Sequence, residues 1–217
     1  MKSAIFMSSM MLAAASGWLA VTMFAPPATG KEPRFPQLNM DQLSDAQKPL
    51  GEQIMKISSV GIGGPYNPLM RSPVLGQRLF DLFHYLRWET SVPIKLNELA
   101  ILIIGRQWRS QVEWFAHAPL AAKAGLSADI IAELKEGKRP SKMAEDEAVV
   151  YDFVTELTTT QKVSDETYAR AKKAFNDQQI VDLTAVAGNY VMVAMVLAMA
   201  EETVPPGKEP PFKGGEK

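Results

Sequence analysis

The chain has 217 residues, 47% of them hydrophobic and 22% charged, with a formal net charge of −1. That length and apolar fraction suit one globular domain with appendages and a real core. The near-neutral balance leaves no basic stripe to displace counterions from a phosphate backbone, so nucleic acid is set aside as a partner. There is no cysteine, which excludes disulfides, thiolate nucleophiles, CxxC redox pairs and thiolate metal sites whatever the fold.

Lys2 followed by the almost uncharged run Ala4 to Phe24 reads as a targeting segment, with Ala28, Thr29 and Gly30 supplying small residues for a cut before Lys31. An uncleaved anchor is the other reading, because a stretch of about 20 apolar residues also spans a bilayer. Cleavage is preferred, since Ser8, Ser9, Ser16 and Gly17 interrupt the apolar run. The domain is therefore expected to be exported, periplasmic or secreted, and to meet a membrane only through an uncleaved leader. The expected organisation is a signal peptide over 1–30, a proline-bearing linker over 31–43, a helical domain over 44–205 and a polar tail over 206–217.

Within the domain, Ser44 and Gln47 form a capping-box pattern that opens a helix to about Ser58. The run Gly61 to Pro68 is expected to be loop. Without a Walker lysine or a preceding strand it is no phosphate cradle. Ser72 followed by Pro73 starts a helix to about Thr90. Further helices are expected over Leu96 to Trp108, Ser110 to Gly125, Ser127 to Gly137, Met143 to Thr159, Ser164 to Asn176 and Ile180 to Ala200. The last is apolar enough to suggest a membrane span, but Asp182 and Asn189 lie inside it and no basic flank follows. A buried core helix or a subunit interface is the preferred reading. No period-two strand pattern and no repeat is present, so the class is all-α.

Several short motifs, taken in order, carry a resemblance: Gly64 to Met70 (GPYNPLM), Arg71 to Pro73 (RSP), Tyr85 to Arg87 (YLR), Asn97 to Leu102 (NELAIL), Glu113 with Trp114 and His117, Ala124 to Ser127 (AGLS) and Tyr151 to Val154 (YDFV). As a set they resemble the carboxymuconolactone decarboxylase family, within the alkylhydroperoxidase D-like superfamily, over roughly residues 45–205. The resemblance implies a compact helical bundle that assembles into a homo-oligomer (dimer, trimer or hexamer). In the peroxidase branch a glutamate, a CxxC pair and a histidine form a proton relay. Set on this sequence, the glutamate falls at Glu98, the two cysteines at Ser110 and Glu113, and the histidine at His117. Both sulfurs are missing, so the chain resembles a cysteine-free branch that keeps the pocket and lacks the peroxidase chemistry.

Residue spacing alone supports an acid–base site. Glu113 and His117 stand four apart on one helix and share a face, and a carboxylate beside imidazole orients the ring for proton transfer near neutral pH. Glu98 on the preceding helix would face His117 if the two helices pair antiparallel. Arg109, roughly three turns beyond Glu98, and Arg106, about 80° off that stripe, are candidates to fork a substrate carboxylate. By family analogy Tyr66 and Asn67 line the pocket mouth. Structural readings stand beside each of these. Ser110 and Glu113 also fit a capping box, His117 can be a satisfied core histidine, and Glu98 can complement a helix dipole. Arg106 and Arg109 can be solvated or paired with Glu98. Trp114 reads as packing and His84 as structural or exposed. His84 and His117 are too few for an all-histidine zinc site, and neither a metal nor a cofactor is expected. The expected function is a cofactor-free decarboxylase, lyase or isomerase acting on a small lactone or oxo-acid. The alternatives are a hydroperoxide-reducing antioxidant protein, disfavoured without cysteine, and a non-enzymatic exported binding module.

Overall fold

The structure, a computed structural model, describes residues 33–58 and 61–213. The leader expected over 1–30 therefore lies outside the described residues. Among these there are no strands, and the chain runs through nine α-helices: α1 (Lys48–Ile57), α2 (Tyr66–Leu69), α3 (Pro73–His84), α4 (Ile94–Gln107), α5 (Gln111–Lys123), α6 (Ala128–Lys135), α7 (Glu145–Thr160), α8 (Asp165–Ala174) and α9 (Asp177–Ala200). A π-helical turn, Tyr85–Glu89, continues α3.

The bundle is organised around α4. Every residue from Leu96 to Gly105 is buried, Asn97 and Glu98 included, as expected of a helix apolar on all sides and enclosed by neighbours. It packs against α5, α9, α7 and α6, and its leucines and isoleucines share one core with Val149, Val150 and Phe153 of α7 and Leu183, Val186 and Ala187 of α9. A second cluster, built on Leu43, Leu50, Ile54, Met70 and Phe80, seats α1 against α3. Gly76 lets α3 run past the end of α2, because a Cβ there would come within 2.9 Å of the Leu69 carbonyl oxygen.

Local signals set most helix starts. Ser127 and Ser164 accept from Ile130 N and Thr167 N, each at 3.2 Å. Asn176 and Gln179 form a reciprocal capping box at 2.9 and 3.1 Å, so Asn176 opens α9 rather than closing α8, and the last helix begins before Ile180. The Gly61 to Pro68 stretch is not wholly loop: α2 forms within it, with Pro68 tolerated because it lies in the first turn.

Neither terminal segment behaves as a bare connector. Over 33–43, Arg34 N donates to Ala200 O at 2.8 Å, its guanidinium pairs with Glu201 at 2.8 Å, and Leu43 is buried. At the other end Phe212 is buried edge-on against Trp114, ring centroids 5.3 Å apart. Gln111 holds the Phe212 backbone from both sides at 2.9 Å. By length and composition α9 could cross a membrane, yet half of its most apolar window is buried inside the protein. The remainder leaves Val181, Met195 and Met199 exposed.

Replacing Phe212 by Ala is expected to lower stability by about 2–4 kcal/mol, the range for deleting a large buried side chain, and to shift Trp114 emission to the red. Unchanged unfolding and fluorescence would show that the C-terminal segment does not dock.

Candidate active site

Helices α4 and α5 pair as a hairpin through a turn at Arg109, whose φ of 49° lies in the left-handed region. The hairpin brings Glu98, one turn into α4, opposite His117 in the middle of α5. His117 Nδ1 lies 2.7 Å from Glu98 Oε2, with the two residues only 7% and 4% exposed. Donation from Nδ1–H to the carboxylate fixes the ring and leaves Nε2 as the reactive nitrogen. Nε2 has no hydrogen-bond partner among the described residues. The ring is further held by Tyr190 of α9, edge-on at 5.1 Å and 89°.

Glu113 is the unusual member of the group. It is 3% exposed, and neither carboxylate oxygen has a hydrogen-bond partner. Burial pushes its pKa up to about 8, the Ser110 side chain offsetting part of the rise without reaching hydrogen-bond geometry. Ser110 makes no side-chain cap on α5, so the capping-box reading of Ser110 and Glu113 is not realised. The reason is burial: a capping glutamate reaches back along the surface of the first turn, whereas this one is enclosed. Nor is Glu113 hydrogen-bonded to His117, although both sit on one side of α5. At neutral pH it is a neutral carboxylic acid, a donor rather than an anion.

Two residues that are not candidates in the sequence, Tyr190 and Arg87, join the expected Tyr66 beside this group. Tyr190 is buried, and desolvation drives its phenol far above the ordinary value; Glu98 and Glu113 add to the rise while Arg87 opposes it. Tyr66 of α2 is raised by burial and drawn down by Arg87. Arg87 is the cation whose charge lowers the pKa of both phenols. It is carried by the π turn, where Thr90 N donates to Tyr85 O at 2.9 Å. Such turns are held open by specific contacts and recur at functional sites. Here buried Asp182 of α9 accepts from the Tyr85 hydroxyl at 3.1 Å and from Thr90 Oγ1 at 2.9 Å, and Asn97 Nδ2 donates to Leu86 O at 2.5 Å. Arg87 lies within the YLR motif, and Tyr190 is a phenol inside an apolar run beside Asn189. Those were the available signals.

Other expected site residues lie elsewhere. Arg106 Nε donates to Lys135 O at 2.9 Å, and its guanidinium lies 5.7 Å from the Phe212 ring centroid. It is eight residues along α4 from Glu98, about 12 Å up the axis, and serves the C-terminal segment. Arg109 lies over the same ring at 5.8 Å and reaches Lys213 O at 3.4 Å. The helix ends at Gln107, so the helical periodicity that aligned Arg109 with Glu98 does not extend to it. Asn67 is fully buried and fully engaged. Its amide donates to Phe35 O at 3.1 Å and Glu202 Oε1 at 2.8 Å and accepts from Leu38 N and Arg71. It clamps the N-terminal segment and has nothing left for a substrate. Glu98 lies beyond the first turn of α4 and serves His117, not the helix dipole.

A surface pocket of about 330 Å³ opens at the start of α5, lined by Arg109, Ser110, Val112, Ala194, Leu197 and Glu202 among others. His117, Glu98 and Glu113 do not line it, but Ser110 stands one turn before Glu113 and Ala194 one turn after Tyr190. No group of three His, Asp or Glu side chains among the described residues is arranged to hold a metal ion.

No family model matches the chain, and no curated protein matches it. Solved structures do. One is an alkylhydroperoxidase AhpD core, an uncharacterized peroxidase-related protein from Ralstonia eutropha JMP134, with TM-score 0.66 and 11% identity over 81% of this chain and 92% of that one. Another is an uncharacterized peroxidase-related protein from Silicibacter sp. TM1040, with TM-score 0.62 and 18% identity over 81% and 94%. The fold is thus the all-helical alkylhydroperoxidase D-like bundle.

The buried carboxyl of Glu113 makes stability pH-dependent. Its folded pKa lies above the unfolded one, near 4.5. Its contribution is therefore fully present below about pH 4.5 and is lost as the pH rises towards 8. Glu113→Gln is expected to be close to wild type in stability at pH 5 and more stable at pH 9, by on the order of 3–5 kcal/mol. Parallel melting curves for the two proteins from pH 5 to 9 would contradict this.

Proposed function

We propose that the protein is a cofactor-free acid–base enzyme, a decarboxylase, lyase or isomerase acting on a small lactone or oxo-acid, as the resemblance to carboxymuconolactone decarboxylase implies. The observation that carries the reading is the buried 2.7 Å bond between His117 Nδ1 and Glu98, beside a Glu113 carboxyl that has no partner. In a decarboxylation the bond to the carboxylate breaks, CO2 leaves, and the electron pair stays on the adjacent carbon as an enolate. That carbon then takes a proton from His117 Nε2 or from the Glu113 carboxyl. In an isomerisation Nε2 removes the proton beside a carbonyl and returns it elsewhere. Glu98 steadies the imidazolium in both, and a positioned donor of this kind contributes typically ~10²–10⁴ in rate.

The proposal extends to export, read from residues 1–30, and to self-association, for which the exposed Val181, Met195 and Met199 of α9 offer apolar surface. A second reading, hydroperoxide reduction, draws on the structural neighbours being peroxidase-related proteins. It needs a two-electron donor in the site, and the chain has no cysteine to serve as one.

The test is a panel of lactones and β-keto or malonate-type acids given to the purified protein, followed by CO2 release and deuterium uptake from solvent. Turnover or exchange is expected with at least one member, falling ~10²–10⁴ in His117→Gln and clearly in Glu98→Gln. A folded protein that releases and exchanges nothing across the panel would leave only a binding module. Separately, hydroperoxide with a thiol reductant is expected to give no turnover above buffer, and turnover there would favour the second reading.

A further inference from the structure

Arg34 pairs with Glu201, and Arg139 and Arg170 pair with Asp152. Arg87 differs. No carboxylate among the described residues pairs with it, and its Nε is buried without a hydrogen-bond partner. The guanidinium stacks on Trp88 at 4.7 Å, and the π turn that carries it packs against α9, the helix of Tyr190; its charge also lowers the pKa of the Tyr66 and Tyr190 phenols. An unmatched buried donor on a cation is costly to keep. Asp182 and Asn97 hold the π turn that carries Arg87. Its terminal guanidinium nitrogens make no hydrogen bond among the described residues, and a cation with free terminal donors beside two phenols suits one ligand chemistry: a small anion with two coplanar oxygens.

We infer that Arg87 is the anchor for a substrate carboxylate, forking it from the π turn with the Tyr66 hydroxyl as a further donor, while His117 works on the neighbouring carbon. This rests on the acid–base reading and narrows its substrate class to carboxylates, with uncharged lactones and esters refused. It also transfers the anchoring role from Arg106 and Arg109, which are engaged with the C-terminal segment.

The test uses malonate and acetoacetate as carboxylate probes and dimethyl malonate as their uncharged counterpart. The readout is the arginine Nε–H resonances of the 15N-labelled protein, with that of Arg87 assigned by its loss in Arg87→Lys. A saturable shift of the Arg87 signal is expected with at least one carboxylate and none with the diester. Arg87→Gln is expected to weaken that binding by about 10- to 100-fold, as for loss of a charge-assisted hydrogen bond. Should Arg87→Gln fail to fold, Arg87→Lys, which keeps the charge without the fork, is expected to show a smaller loss. His117→Gln is expected to lose turnover yet retain the shift, so a failure of the acid–base chemistry is distinguishable from a failure of the anchor. The inference is overturned by no Arg87 shift with either carboxylate, by equal binding of the diester, or by affinity in Arg87→Gln within about twofold of wild type. An Arg87 shift that depends on protein concentration without added anion would also overturn it, since a second copy would then fill the fork.

Discussion

The enclosure of α4 governs both the stability of this protein and its chemistry. A helix surrounded on all sides must bury whatever it carries, and at Glu98 it carries a carboxylate. A charge in that position is tolerable only if a partner compensates for the lost water. His117 does so from α5 at 2.7 Å. The hairpin that closes α4 on α5 is therefore also the event that assembles the acid–base pair. Removing either partner leaves the other buried and unmatched, so Glu98 and His117 cannot be assigned purely to folding or purely to function.

Around that pair the protein deploys its buried polar groups in two ways. Some are saturated and do mechanical work: Asn67 ties α2 to the N-terminal segment and to Glu202, and Asp182 clamps the π turn through Tyr85 and Thr90. Others are left open. The Glu113 oxygens, Arg87 Nε, Asn97 Oδ1 and the Asn189 amide are among the buried polar groups without a partner. Native proteins keep few such groups, and here Asn97 and Asn189 are sequence neighbours of Glu98 and of Tyr190, the residues that hold the His117 ring. The saturated groups hold the elements that keep the open ones apart.

How far the amino-acid sequence reveals this arrangement depends on the distance over which each signal acts. The all-α class, most helix starts and the Glu98 and His117 positions follow from local patterns: caps such as Ser127 and Ser164, 3.6-residue periodicity, and short motifs. Arg109 leaves the Glu98 stripe because α4 ends at Gln107, before the periodicity reaches it. Asn67 lies in a Gly/Pro-rich stretch with no local sign that Phe35 and Glu202, far along the chain in both directions, saturate its amide. Tyr190 and Arg87 depend on which face of α9 meets the π turn, and that is a property of packing with no counterpart in neighbouring residues. The segments over 33–43 and 206–213 read as polar connectors for the same reason, since Leu43 and Phe212 find their burial against partners remote in sequence.

The position of Glu113 connects the missing sulfur to the chemistry that remains. The resemblance sets a cysteine at this point of the relay, and an unperturbed thiol titrates near 8.5. An exposed glutamate would be four units too acidic to stand in for it as a proton carrier. Enclosure in this bundle lifts the carboxyl to about 8, close to the thiol's range. A carboxyl lifted this far can exchange protons near neutral pH, yet it has no accessible oxidised form with which to pass electrons to a peroxide. Burial, without any new ligand, is enough to bring this side chain into that range.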